Sequence, residues 1–239
     1  MKRLGVAALA GLVLFPHAAP AQVPTAPTTA PASAAQGSPD AAGVVRATLG
    51  NGMRVILLPN KLAPVVTTLM SYGVGADDDT LPGIAHATEH MLFRGTESLS
   101  GGQLADIAAR MGAEYNAQTS NEYTLYYYKL PSAYTAVALH VEADRMTHAT
   151  IRAADWATER GAIEQEIRAQ ESAPAYKVGT KLRETFFAGT PFATASGGTV
   201  PSFEKMTADQ IRAFYRAWYK PGNAALIVVS NVFLHLHPV

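Results

Sequence analysis

The pattern of apolar and polar positions changes near residue 44, where segments with the two-residue period of a strand begin. Residues 44–49 alternate between apolar and polar side chains, and residues 53–58 are rich in β-forming residues. Because Asn51-Gly52 lies between these segments, and Asn-Gly favours a tight turn, we predict a β-hairpin here. Further strands are predicted where short apolar segments end at turn residues, over residues 64–74, 113–120, 122–130 and 223–229.

Segments with helical periodicity separate these strands. Helices are predicted over residues 84–93 and 102–111, over residues 208–218 after the capping residue Thr207, and as two or three long helices over residues 131–187. Since strands and helices are interspersed, we predict an α+β fold, a two-layer α/β sandwich in which helices pack on one mostly antiparallel sheet.

The segment before residue 43 has a different character. Two basic residues precede an apolar run of 12 residues, and Ala19 and Ala21 supply small residues for a cleavage site. We therefore expect residues 1–21 to be a cleavable signal peptide and the protein to be exported, either periplasmic or secreted. The run is shorter than the roughly 20 residues that span a bilayer, so we expect no stable membrane span. Residues 22–42 are rich in Pro, Ala and Thr, which predicts a disordered linker.

Composition narrows the chemistry that the chain can perform. Its 239 residues include 19 basic and 19 acidic side chains. This balance argues against a nucleic-acid partner bound through a strongly basic surface. The absence of cysteine excludes disulfides, thiolate catalysis and cysteine-ligated zinc. Any metal site must therefore use His, Asp and Glu side chains.

One predicted helix carries an H-x-x-E-H motif, formed by His86, Glu89 and His90. On a helix the two histidines lie about 40° apart and one turn apart, so both could bind one metal ion. Glu89 lies about 60° to the other side of His86, where its carboxylate could take a proton from water that the metal acidifies. The alternative is a pair of ordinary surface histidines.

A second predicted helix, over residues 158–168, offers a third ligand. Glu159 and Glu166 lie about 20° apart on its helical wheel, on the side that also holds Ile163. Acidic groups beside apolar residues are costly unless they meet a cation. One interpretation makes Glu166 the third metal ligand and Glu159 its support; the other pairs both acids with Arg or Lys at a helix–helix contact.

These segments resemble the inverzincin metallopeptidases of the pitrilysin or M16 family. The resemblance rests on GIAHATEHMLFRGT from residue 83, MGAEYNAQTSNEYTLYYYKLP from residue 111 and ERGAIEQEI from residue 159. A weaker match is YRAWYKPGNAALIVV from residue 215. We therefore expect residues 43–239 to be the N-terminal, zinc-bearing domain of such a peptidase.

The resemblance also implies roles for individual residues. It implies one zinc ion per chain, held by His86, His90 and Glu166. Glu89 would be the general base. Glu159 would not bind the metal itself but would orient the residues that do. Asn116 and Ala117 would belong to a strand that binds substrate as an added β-strand.

The implied function is that of a zinc metalloendopeptidase acting on extended peptides or unfolded polypeptides. Family members usually contain two homologous halves, and residues 231–239 do not resemble the continuation of the first half, which suggests a truncated or frame-shifted tail. A non-catalytic peptide-binding half-domain, which needs a second homologous half or subunit for activity, is therefore the alternative. A structural domain with two chance histidines is a third reading.

Other conspicuous residues are expected to be structural. We expect Tyr126–Tyr128 in a packed strand, and Trp156, Phe186 and Phe187 in the core. The acidic run at residues 77–79 is expected to be a solvated turn.

Overall fold

The computed structural model describes residues 39–193 and 195–231. The signal peptide predicted over residues 1–21, most of the predicted linker and the tail after residue 231 lie outside these described residues.

Six strands and seven α-helices form the described part of the chain. The strands are β1 Val45–Thr48, β2 Arg54–Pro59, β3 Val65–Tyr72, β4 Glu114–Thr119, β5 Thr124–Pro131 and β6 Ala224–Ser230. The helices are α1 Ile84–Met91, α2 Gly101–Arg110, α3 Thr135–His148, α4 Ala153–Ser172, α5 Pro174–Phe186, α6 Val200–Lys205 and α7 Ala208–Trp218. Among these described helices, none combines the length and apolarity needed to cross a bilayer.

All six strands form one sheet in the order β1-β2-β6-β3-β5-β4. β2 and β6 run parallel, and every other neighbouring pair is antiparallel. The last strand of the described chain thus lies in the middle of the sheet, and β4 lies at an edge. This mostly antiparallel sheet with packed helices confirms the predicted α+β fold.

The core lies on one face of the sheet. Along β3, β5 and β6 alternate residues are buried, and helices α1, α3 and α7 contribute buried side chains of their own. Tyr126 and Tyr128 are buried, as expected for a packed strand. Trp156 is buried as well, and its indole N–H donates a 2.9 Å hydrogen bond to the Met206 carbonyl.

The expectation for two phenylalanines was wrong. Phe186 is 78% exposed and Phe187 is 49% exposed. The reason is the position of α5, which packs along α4 and has no buried residue.

A charged pair is buried between the sheet and α3. The Arg145 guanidinium lies 3.4 Å from Glu142 Oε1 and donates a 3.0 Å hydrogen bond to the Tyr128 hydroxyl. It also lies 4.9 Å from the ring centres of both Phe93 and Tyr126. Burial raises the pKa of Glu142, although the charge of Arg145 opposes that rise. Because Phe93 lies two residues after the end of α1, this cluster supports the helix that carries the H-x-x-E-H motif.

Candidate metal centre

The N-terminus of α1 is fixed by a tight turn and by a carboxylate. Gly83 has a φ of 86°, and a Cβ at this position would lie 2.6 Å from Cζ of Phe203. The Asp79 carboxylate accepts the N–H groups of Gly83 and Ala85 at 2.6 and 3.0 Å, and so caps the helix.

The acidic run at residues 77–79 had suggested a solvated turn. Asp79 instead accepts hydrogen bonds at the start of α1. Burial raises the pKa of Asp79 to about 6, against the two N–H bonds that favour its charged form. The neighbouring charges of Asp78 and Asp77 contribute to the rise.

The two histidines of α1 face each other across one helical turn. Their Nε2 atoms are 3.1 Å apart, and His86 is only 7% exposed. The other ring nitrogen of each is engaged: Nδ1 of His86 lies 3.0 Å from the Gly197 carbonyl, and Nδ1 of His90 lies 2.9 Å from Glu159 Oε1. These acceptors favour the tautomer that carries its proton on Nδ1, so two Nε2 lone pairs point at each other. A shared cation would relieve this repulsion.

Glu166 of α4 brings a carboxylate oxygen to the same point. Its Oε2 lies 3.4 Å from Nε2 of His90 and 3.7 Å from Nε2 of His86. Ligand atoms at zinc–ligand distances of about 2.0–2.1 Å in a tetrahedron would lie about 3.3 Å from one another. The observed separations of 3.1, 3.4 and 3.7 Å are close to that value, so the donor set fits a small divalent metal ion.

Glu159 binds both a histidine and an arginine. Besides His90, its carboxylate lies 3.3 Å from Nη1 of Arg94. The hydrogen bond from His90 lowers the pKa of Glu159, against the effect of burial. Burial lowers the pKa of His90, but the bond to Glu159 and the nearby carboxylate charges outweigh it and raise this pKa. Glu159 thus contacts the proposed ligand His90 as well as Arg94, and Glu166 reaches the histidine pair.

Glu89 and the edge strand β4 line the same cavity as the histidine pair. This cavity of about 370 Å³ is lined by His86, Glu89, His90, Phe93, Asn116, Ala117 and Glu166. Glu89 is 9% exposed and accepts a 2.5 Å hydrogen bond from the Thr119 hydroxyl. The Ala117 N–H donates to Oδ1 of Asn116 at 2.9 Å. Every residue predicted for the site therefore lies in this cavity or contacts a residue that does.

Sequence reasoning missed three contributors to the site. Thr119 bonds Glu89, the Gly197 carbonyl orients His86, and Asp79 caps α1. Gly197 acts through its backbone carbonyl, and a backbone carbonyl has no sequence signal. The position of Thr119 two residues after Ala117 on a strand was a usable signal, because alternate residues share a face.

The chain is similar to a known protein family and to several known proteins. Residues 55–199 match the profile of the family described as insulinase, peptidase family M16. The chain is 34% identical over 191 residues to a Streptomyces coelicolor protein named uncharacterized zinc protease SCO5738, and the match covers 79% of this chain and 42% of that protein.

Solved structures show the same fold. A protease from Helicobacter pylori superposes with a TM-score of 0.77 at 27% identity, over 80% of this chain and 47% of that one. The periplasmic protease PqqL from Escherichia coli gives a TM-score of 0.77 at 26% identity, over 84% of this chain and 23% of that one. The chain spans less than half the length of each of these proteins. With its fold, its paired histidines and the match over residues 55–199, the chain belongs to peptidase family M16, the insulinase family.

Proposed function

We propose that this chain is the metal-bearing domain of a zinc-dependent endopeptidase that hydrolyses extended peptides. One zinc ion per chain would be held by His86, His90 and Glu166. The observation that carries the proposal is the set of three separations between the donor atoms, which suits a tetrahedral site with one position left for a substrate or water. The name of the Streptomyces coelicolor relative, a zinc protease, supports the choice of metal.

The chain supplies the groups that such a hydrolysis needs. A bound zinc ion acts as a Lewis acid toward the peptide carbonyl and acidifies water. Glu89 is the general base: its carboxylate takes a proton from the attacking water and passes a proton to the leaving amine as the C–N bond breaks. Glu159 and the Gly197 carbonyl hold the two imidazole rings so that both Nε2 atoms face one point.

The edge strand β4 is the proposed binding site for peptides and unfolded polypeptides. A substrate in extended conformation would add to β4 as a further strand, which suits many sequences because main-chain hydrogen bonds hold it. The Ala117 N–H, now bonded to the Asn116 side chain, would be available to a substrate carbonyl once that side chain turns away. Both residues line the cavity that holds Glu89, so the docked strand would pass beside the general base.

A second homologous M16 half or subunit is proposed to complete the active enzyme. The chain spans 42% of its Streptomyces coelicolor relative, which supports this requirement. The alternative is a non-catalytic half-domain that binds peptides and depends on that second half for activity. Because PqqL is named a periplasmic protease, we propose an exported, periplasmic location for this chain as well.

A cleavage assay tests the proposed chemistry. The purified chain, alone and mixed with a homologous second half, is incubated with zinc and unfolded casein, with and without a chelator. We expect the chelator to stop cleavage and Glu89→Gln to abolish cleavage while the zinc content stays at one ion per chain. Glu184→Gln is the matched control, since Glu184 is an exposed glutamate of α5 that pairs with Lys181.

Zinc content tests the ligand set independently of activity. Glu166→Gln is expected to lower bound zinc per chain, whereas Glu164→Gln on the same helix is not, because Glu164 pairs with Arg160 and Arg168.

In the cleavage assay, a Glu89→Gln variant that cleaves at the parent rate would refute the general-base role. Peptide binding without cleavage in every mixture would favour the binding half-domain.

A further inference from the structure

Thr119 makes a short contact with the proposed general base. Its hydroxyl lies 2.5 Å from Oε2 of Glu89 and donates a hydrogen bond to it. Within residues 39–193 and 195–231, this hydroxyl is the only group that donates a hydrogen bond to the Glu89 carboxylate. The orientation of that carboxylate therefore depends on one neighbour.

The strand presents this hydroxyl rigidly. Exposure alternates along β4, and Ala117 and Thr119 share the less exposed face. Thr119 pairs with Thr124 of β5, whose buried hydroxyl is bonded to the Val74 carbonyl at 3.0 Å. A threonine side chain is stiff at χ1 because it is branched at Cβ, so the donor has few alternative positions.

Thr119 also lines a second pocket, which shares His86, Glu89 and Glu166 with the cavity described above. A pocket of about 240 Å³ brings Thr119 together with His86, Glu89 and Glu166. A hydroxyl bound to one carboxylate oxygen leaves the second oxygen free of that bond, and fixing a reacting group in this way lowers the cost of reaching the transition state.

We propose that Thr119 is a positioning residue, whose hydroxyl holds Oε2 of Glu89 so that Oε1 is presented to the attacking water. The proposal rests on the endopeptidase function proposed above. Since Thr119 lies two residues after Ala117, the strand that docks the peptide also orients the base. Strand β4 would thus both bind the peptide and orient the general base.

Two substitutions at residue 119 separate the hydroxyl from the shape of the side chain. Thr119→Val keeps the shape but removes the donor, and we expect kcat to fall about tenfold to hundredfold, as for loss of a hydrogen bond to a charged group. KM and zinc content should stay near the parent values, because the hydroxyl is hydrogen-bonded to Glu89 and not to a proposed metal ligand. Thr119→Ser restores the donor and should recover most of kcat. Thr67→Val, on β3 away from the site, is the matched control.

Two kinetic results would contradict the proposed role of Thr119. A Thr119→Val variant with the parent kcat would overturn the proposal. It would also be overturned if Thr119→Ser were as slow as Thr119→Val, because the defect would then follow side-chain shape and not the hydroxyl.

A measurement without catalysis tests the contact itself. In the metal-free chain labelled at threonine, NMR should show that the Thr119 hydroxyl proton exchanges with water more slowly in the parent than in Glu89→Ala. Equal exchange rates would overturn the proposal. If the parent cleaves no substrate in any mixture, the proposed function fails, and the exchange rates still decide whether Thr119 holds Glu89.

Discussion

Asp79 gives the fold a pH dependence that can be measured without any bound metal. The pKa of its carboxyl is raised from 3.8 to about 6, chiefly because the group is buried at the N-terminus of α1. The folded chain therefore binds more protons than the unfolded chain between these values. The protonated carboxyl of Asp79 is favoured in the folded chain. Its stabilising contribution to the unfolding free energy is complete below pH 3.8 and is lost as the pH rises through about 6.

The size of the effect follows from the same values. A rise from 3.8 to about 6 corresponds to about 3 kcal/mol between the two protonation states, of which about 2 kcal/mol falls between pH 4.5 and pH 8. Asp79→Asn cannot ionise, but its side-chain oxygen can still accept one of the two N–H groups. We therefore expect the parent to lose about 2 kcal/mol more unfolding free energy than Asp79→Asn over this range.

Urea unfolding followed by tryptophan fluorescence, with chelator present, measures this difference. Asp106→Asn removes an exposed carboxylate that pairs with Arg110, and its stability should follow the parent at each pH. Parallel pH curves for the parent and Asp79→Asn would refute the reasoning. So would a parent that gains stability relative to this variant as the pH rises.

Three further predictions concern the support of the site. Arg145→Ala should lose about 3–5 kcal/mol in urea unfolding, because Glu142 stays buried without its partner, and a loss below about 1 kcal/mol would contradict this. Gly83→Ala should lose about 1–3 kcal/mol in thermal unfolding, since φ is 86° and Phe203 leaves no room for a Cβ; an unchanged stability would contradict the strained turn. Glu159→Gln should weaken zinc binding about 10- to 100-fold in competition with a chromophoric chelator, whereas an unchanged Kd would contradict its orienting role.

The positions of helices and strands could be predicted well from the sequence, because signals between neighbouring residues determine them. Residues 208–218 were predicted as a helix after Thr207, and α7 has those bounds, with the Thr207 hydroxyl accepting the Gln210 N–H at 3.3 Å. The last predicted strand is present as β6, but its parallel pairing with β2 joins segments about 170 residues apart in the chain. No pattern along the sequence encodes such a pairing.

In the candidate site, too, local spacing could be predicted and tertiary contacts could not. His86, Glu89 and His90 share one helix, so spacing alone placed them on one face. Glu166 came within reach only as one of two open interpretations, since α1 and α4 meet through tertiary packing. The exposed Phe186 was misplaced because apolar character does not reveal on which side of a neighbouring helix a residue will lie.

The position of the zinc ion tests the central claim most directly. Crystals of the chain grown with zinc would be measured at the zinc absorption edge, where anomalous scattering locates the metal. The account predicts one strong peak per chain, about 2.0–2.2 Å from Nε2 of His86, Nε2 of His90 and a carboxylate oxygen of Glu166. A zinc-loaded crystal with no peak between these three atoms, or with its peak held by other side chains, would contradict it.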